Sequence, residues 1–86
     1  ANSPARRLYF ACTMAYLDPA GAEKYQQVLV DLVEQFLGAL EEPSAVADCA
    51  AFAHRVALGD FYKALSICQR LIAYEAEALA RLERAA

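Results

Sequence analysis

Only six residues of this chain are glycine or proline, and they cut it into four long segments whose apolar side chains recur every three or four positions. That spacing matches the 3.6-residue turn of an α-helix and not the alternation of a strand, so it commits the chain to an all-α fold. Four such segments joined by loops of a few residues pack as antiparallel neighbours, which predicts a compact bundle of about four helices. At 86 residues there is room for one domain, residues 1–86. A core of that size buries roughly 60–65 % of the unfolded surface. Hydrophobic residues make up 59 % of the chain, and many are alanine, the strongest helix former.

Ser3 before Pro4 is a helix-start signal, because a serine oxygen accepts from an orphan N–H and proline fits the first helical position. Helix one then runs from Pro4 to Leu17. Leu8, Cys12, Ala15 and Tyr16 form one stripe and Phe10, Met14 and Leu17 a second, so burial on two sides is expected. Asp18-Pro19 ends it, and Asp18 is placed to cap the next helix. Helix two reaches about Leu40, with Tyr25, Val28, Leu29, Leu32, Val33, Phe36 and Leu40 on its apolar side. Gly38 inside it implies a close helix contact or early fraying. Glu41-Glu42-Pro43-Ser44 reads as a loop ending in a second serine cap. Helix three, about Ala45 to Leu58, is expected to bury Val46, Cys49, Ala50, Ala53, Val56 and Ala57 before Gly59 closes it. Asp60 caps the last helix, Phe61 to about Arg84, whose apolar positions are Phe61, Ala64, Leu65, Cys68, Leu71, Ile72, Leu79 and Leu82.

Several function classes find no support. Walker loops, G-x-G-x-x-G, G-x-S-x-G and H-E-x-x-H are missing from the sequence, which argues against an enzyme and against a bound cofactor. His54, the single histidine, has no acid or ligand at a matching helical spacing and reads as a surface or partly buried structural residue. Cys12, Cys49 and Cys68 are an odd number, widely spaced and set in apolar segments, so they read as buried free thiols suited to a reducing cytoplasm. No apolar run approaches the length of a membrane span, and no secretory signal opens the chain. The start at Ala1-Asn2-Ser3-Pro4, without methionine, is expected of a piece of a longer protein.

A net charge of -3 is unusual for a domain that holds nucleic acid through phosphates, so any basic surface must be local. Two places qualify. Arg6 and Arg7 stand beside Tyr9 at the start of helix one, and Lys63 and Arg70 stand two turns apart near Tyr62 and Tyr74. Cations beside aromatics can hold phosphates and stack bases. The same residues could equally be solvated side chains paired with nearby acids, and Lys63 and Arg70 could flank a helix interface.

Two groups of runs carry more specific information. Ser3-Pro4-Ala5-Arg6-Arg7-Leu8-Tyr9-Phe10 leads to Ala15-Tyr16-Leu17-Asp18 and Gly21-Ala22-Glu23-Lys24-Tyr25. Asp60-Phe61-Tyr62-Lys63-Ala64-Leu65 leads to Arg70-Leu71-Ile72-Ala73-Tyr74-Glu75. In this order and at these separations they resemble the FlbT family of flagellin-synthesis regulators, from about Ser3 to Leu79. The resemblance implies the C-terminal helical part of a cytoplasmic post-transcriptional regulator of flagellated alphaproteobacteria. Such a regulator would act on the flagellin mRNA 5′ leader with the companion regulator FlaF. The family's additional N-terminal segment, a small β-rich module, does not precede Ser3 here. The chain could then contact RNA through Arg6, Arg7, Tyr9, Lys63 and Arg70. Alternatively it is a helical module that docks FlaF, flagellin or a second copy of itself, with RNA binding located elsewhere.

Overall fold

The computed structural model describes residues 3–39 and 42–85, the side chains of residues 36–39 excepted. Among the described residues there are four α-helices: α1 (Pro4–Leu17), α2 (Ala22–Ala39), α3 (Pro43–Ala57) and α4 (Phe61–Ala85), with a short 3-10 turn at Pro19–Gly21. No strand occurs among the described residues. The neighbouring pairs α1–α2, α2–α3, α3–α4 and α4–α1 pack together and close a ring, the bundle expected from the spacing.

Local signals set the helix starts and stops. Ser3 accepts from the Arg6 N–H at 3.2 Å, with Pro4 in the first turn. Asp18 receives the Gly21 N–H at 3.3 Å and so caps the 3-10 turn that leads into α2. A Cβ at Gly21 would lie 2.5 Å from the Asp18 carboxylate, so that cap needs glycine. Gly59 has φ 75°, and the Asp60 N–H reaches back to the Arg55 carbonyl at 2.9 Å, a left-handed closure of α3. Asp60 then accepts from the Lys63 N–H at 3.2 Å and starts α4.

The core is built of Leu8, Leu29, Phe52, Val56 and Leu71 with many small residues, among them Ala5, Ala15 and Ala64. Small side chains let the helix axes approach closely. Helix pairing is antiparallel where hydrogen bonds cross it. The Cys68 thiol donates to the Ala5 carbonyl, while the Cys12 thiol donates to the Phe61 carbonyl, which fixes α4 against α1. Glu75 of α4 accepts the Ala5 N–H at 3.1 Å, setting a carboxylate on the positive end of α1. Gln26 of α2 donates to the Val56 carbonyl at the end of α3.

Five expectations need correction. Helix one is buried on one side only, because the ring gives it two neighbours. Ala5, Leu8, Ala11, Cys12 and Ala15 are buried while Phe10, Tyr16 and Leu17 are exposed. Ser44 is not a cap: α3 starts at Pro43, whose ring already holds φ for the first turn, with Glu42 at the cap position and no side-chain bond. The buried stripe of α3 is Ala45, Cys49, Phe52 and Val56, so Val46, Ala50 and Ala57 are exposed and Phe52 takes the centre. On α4 burial stops at Leu71, and Leu79 and Leu82 are 56 % and 68 % exposed. Val28 of α2 is exposed as well. The apolar positions Phe36 and Leu40, the loop residue Glu41 and the surroundings of Gly38 lie outside the described residues.

Candidate interaction surface

The first half of α1 carries an open depression of about 900 Å³ over its outer side. Arg6, Arg7, Tyr9, Phe10 and Thr13 line it from α1, Tyr25, Val28 and Leu32 border it from α2, and Ile72 reaches it from α4. Arg6, Phe10 and Thr13 lie on the side of the helix opposite Leu8 and Cys12, with Arg7 and the partly buried Tyr9 on its flanks, so the buried stripe determines by exclusion what the depression presents. Phe10 is 69 % exposed. Among the described residues the lining holds two arginines and no acid, on a chain whose net charge is -3. Among the described residues neither Arg6 nor Arg7 forms an ion pair. The surface therefore joins free guanidinium groups to an apolar and aromatic floor.

The second basic cluster is built differently. Arg70 donates from Nε and Nη2 to the two carboxylate oxygens of Asp48 at 3.1 and 3.0 Å, a two-pronged clasp between α4 and α3. Arg70 holds the Asp48 carboxyl below its ordinary range, and Asp48 raises the Arg70 pKa in return. Desolvation, with Asp48 as a further cause, raises the Tyr74 hydroxyl in the same cluster. Lys63 is exposed in the first turn of α4, beside the Tyr62 ring that lies 6.0 Å from Tyr16. Of the five residues singled out from the sequence, the structure brings Arg6, Arg7 and Tyr9 onto one surface. Lys63 and Arg70 do not line it.

The interior offers no comparable chemistry. Cys12, Cys49 and Cys68 are buried and unpaired. Burial pushes the thiols of Cys12 and Cys49 up to about 11. It takes Cys68 to about 12, helped by Cys12, Cys49 and Glu75 nearby. They are protonated at neutral pH and behave as small apolar groups. His54 is exposed on α3. No helix among the described residues is long and apolar enough to cross a membrane.

Sequence reasoning missed Phe10, Val28, Leu32 and Ile72 as parts of this surface. Exposed apolar residues carry the same pattern as buried ones, so only the helix partners separate them. The Asp48–Arg70 clasp has no short-range signal, since 22 residues separate its partners.

The family model described as "Flagellar protein FlbT" matches residues 1–79. The flagellum biosynthesis repressor protein FlbT of Caulobacter vibrioides (strain ATCC 19089 / CIP 103742 / CB 15) is 38 % identical over 78 residues, covering 91 % of this chain and 55 % of that protein. A probable flagellum biosynthesis repressor protein FlbT of Caulobacter sp. (strain K31) is 38 % identical over 79 residues, 92 % of this chain and 60 % of its own length. The corresponding protein of Chelativorans sp. (strain BNC1) is 30 % identical over 79 residues, 92 % of this chain and 54 % of its own. The chain thus spans a little over half the length of these relatives. No solved structure matches it. With a family model aligned along nearly its whole length, the chain belongs to the FlbT family of flagellar proteins.

Proposed function

We propose that this chain is the helical part of a cytoplasmic regulator that restrains flagellum biosynthesis by acting on the flagellin mRNA 5′ leader. The relatives are named as flagellum biosynthesis repressors, which supports the regulatory role. The observation that carries the RNA contact is the pair of unpaired arginines beside Tyr9 on a surface without acids. Guanidinium groups there neutralise phosphates, and the aromatic residues offer faces for unpaired leader bases. Arg70 has a smaller part in this reading because Asp48 already engages its Nε and Nη2 and neutralises its charge. Lys63 remains a peripheral contact. The role requires binding and no catalysis.

Fluorescence anisotropy of leader RNA titrated with the chain tests the reading. Replacing both Arg6 and Arg7 by alanine is expected to weaken binding and to flatten the salt slope by about 1.4, roughly 0.7 per single-strand phosphate contact. Unchanged affinity and slope would remove these residues from the RNA contact.

A second reading rests on the apolar character of the same depression. Phe10 and Val28 are exposed and suit a protein surface, so the chain can instead be a module that docks FlaF or flagellin while RNA binds elsewhere in the longer regulator. Calorimetric titration of purified FlaF and flagellin against the chain separates the two, with Phe10→Ala expected to abolish the heat of binding only under this second reading.

A further inference from the structure

Helix α4 is longer than the ring needs. Its 25 residues extend about 37 Å at 1.5 Å per residue, and its burial ends at Leu71. Beyond that point the helix continues for four turns with Leu79 and Leu82 exposed. Ile72 and Leu79 are seven residues apart and Glu83 follows four later, so the three lie on one face of α4. Ile72 borders the depression over α1, and Leu79 therefore prolongs that apolar surface past the start of α1. The part of the strip along α4 starts at Arg6 and Arg7, where the depression meets α4, and ends at Glu83. An apolar strip with opposite charges at its two ends is complementary to itself when one copy is turned by two-fold rotation.

We propose that the chain forms a two-fold symmetric dimer in which the last turns of α4 from each copy lie antiparallel across the other. Leu79 of one copy packs on Ile72 and the depression of the second, and Glu83 meets Arg6 and Arg7. Ala76 lies near the axis, where its small side chain allows close approach. The arrangement covers the surplus apolar residues of α1 and α4 together, and it pairs the guanidinium groups left free in the single chain. It also gives the projecting end of α4 the tertiary support that a short helix in water lacks.

Sedimentation velocity of the 86-residue chain over a wide concentration range is expected to show a monomer–dimer equilibrium. Leu79→Glu, at an exposed position that leaves the core intact, is expected to weaken it by roughly tenfold or more. Arg6→Glu and Glu83→Arg are each expected to weaken it, and the double charge reversal to restore it. Ala76→Cys is expected to form an interchain disulfide readily on oxidation, whereas Ala47→Cys on the outside of α3 is not. A monomer at every concentration would overturn the proposal, as would a dimer indifferent to Leu79→Glu or equal cross-linking at positions 76 and 47. The dimer and leader RNA would compete for Arg6 and Arg7, so RNA is expected to shift the equilibrium towards monomer, and Leu79→Glu with RNA affinity retained or raised would separate the dimer from the RNA reading.

Discussion

Leu8 and Phe10 sit two residues apart on α1 and meet opposite environments: Leu8 is fully buried against the core, and Phe10 is among the most exposed large side chains of the chain. Both belong to regular apolar stripes. The difference comes from the number of neighbours, because each helix in a ring of four contacts two others and can bury only the stripe between them. A helix that is apolar over most of its circumference then has a surplus face, and on α1 that face carries Arg6, Arg7 and Tyr9. The inner face holds the fold together and the outer face is available to macromolecules.

The most direct way to break this contrast is to truncate both residues. Leu8→Ala is expected to destabilise the chain by about 2–5 kcal/mol, the range for a buried leucine leaving a cavity, read by urea denaturation. A change as small for Leu8 as for Phe10 would contradict the assignment of faces.

The buried thiols sharpen the same contrast by pH. Their folded pKa values of about 11 to 12 lie above the unfolded value of 9.0, so the folded chain holds protons that the unfolded chain releases. Their stabilising contribution is complete below pH about 9 and is lost as pH rises through the folded values. A midpoint of unfolding that stays flat between pH 8 and 11 would contradict their burial, as would rapid reaction with a thiol reagent at neutral pH.

A smaller effect belongs to Asp48. Its folded pKa is depressed by Arg70, so its contribution is present above the ordinary carboxylate range and is lost as pH falls through the folded value. Asp48→Asn is expected to remove that acid-side dependence and to leave leader-RNA binding unchanged, measured by unfolding at several pH values and by anisotropy. The smallest expected effect is that of Phe10→Ala on stability, within about 0.5 kcal/mol, as for surface substitutions in general.

How much of this was legible in the sequence follows from the range of each interaction. Ser3, Asp18, Gly59 and Asp60 could be read because a cap or a left-handed closure is decided within a few residues. Glu75 on the start of α1 could not, because it accepts from a residue 70 positions away. Ser44 misled because Pro43 moved the start of α3 two residues earlier than the serine signal implied. In α3 the alanine-rich stretch fits more than one apolar stripe, and the packing of Phe52 selected a face that leaves Val46 outside. The candidate site was half visible. Arg6, Arg7 and Tyr9 are local to one helix turn, whereas the contributions of Val28, Leu32 and Ile72 depend on how α2 and α4 lie beside α1.

The claim that the outer side of α1 is the contact surface is tested most directly by a ¹H–¹⁵N NMR titration of the chain with flagellin leader RNA. The account predicts that shifts concentrate on Arg6 to Thr13 of α1 and on Tyr25 to Leu32 of α2, with α3 and the Asp48–Arg70 clasp unperturbed. Shifts centred on α3, or on Lys63 and Arg70 with α1 silent, would contradict it.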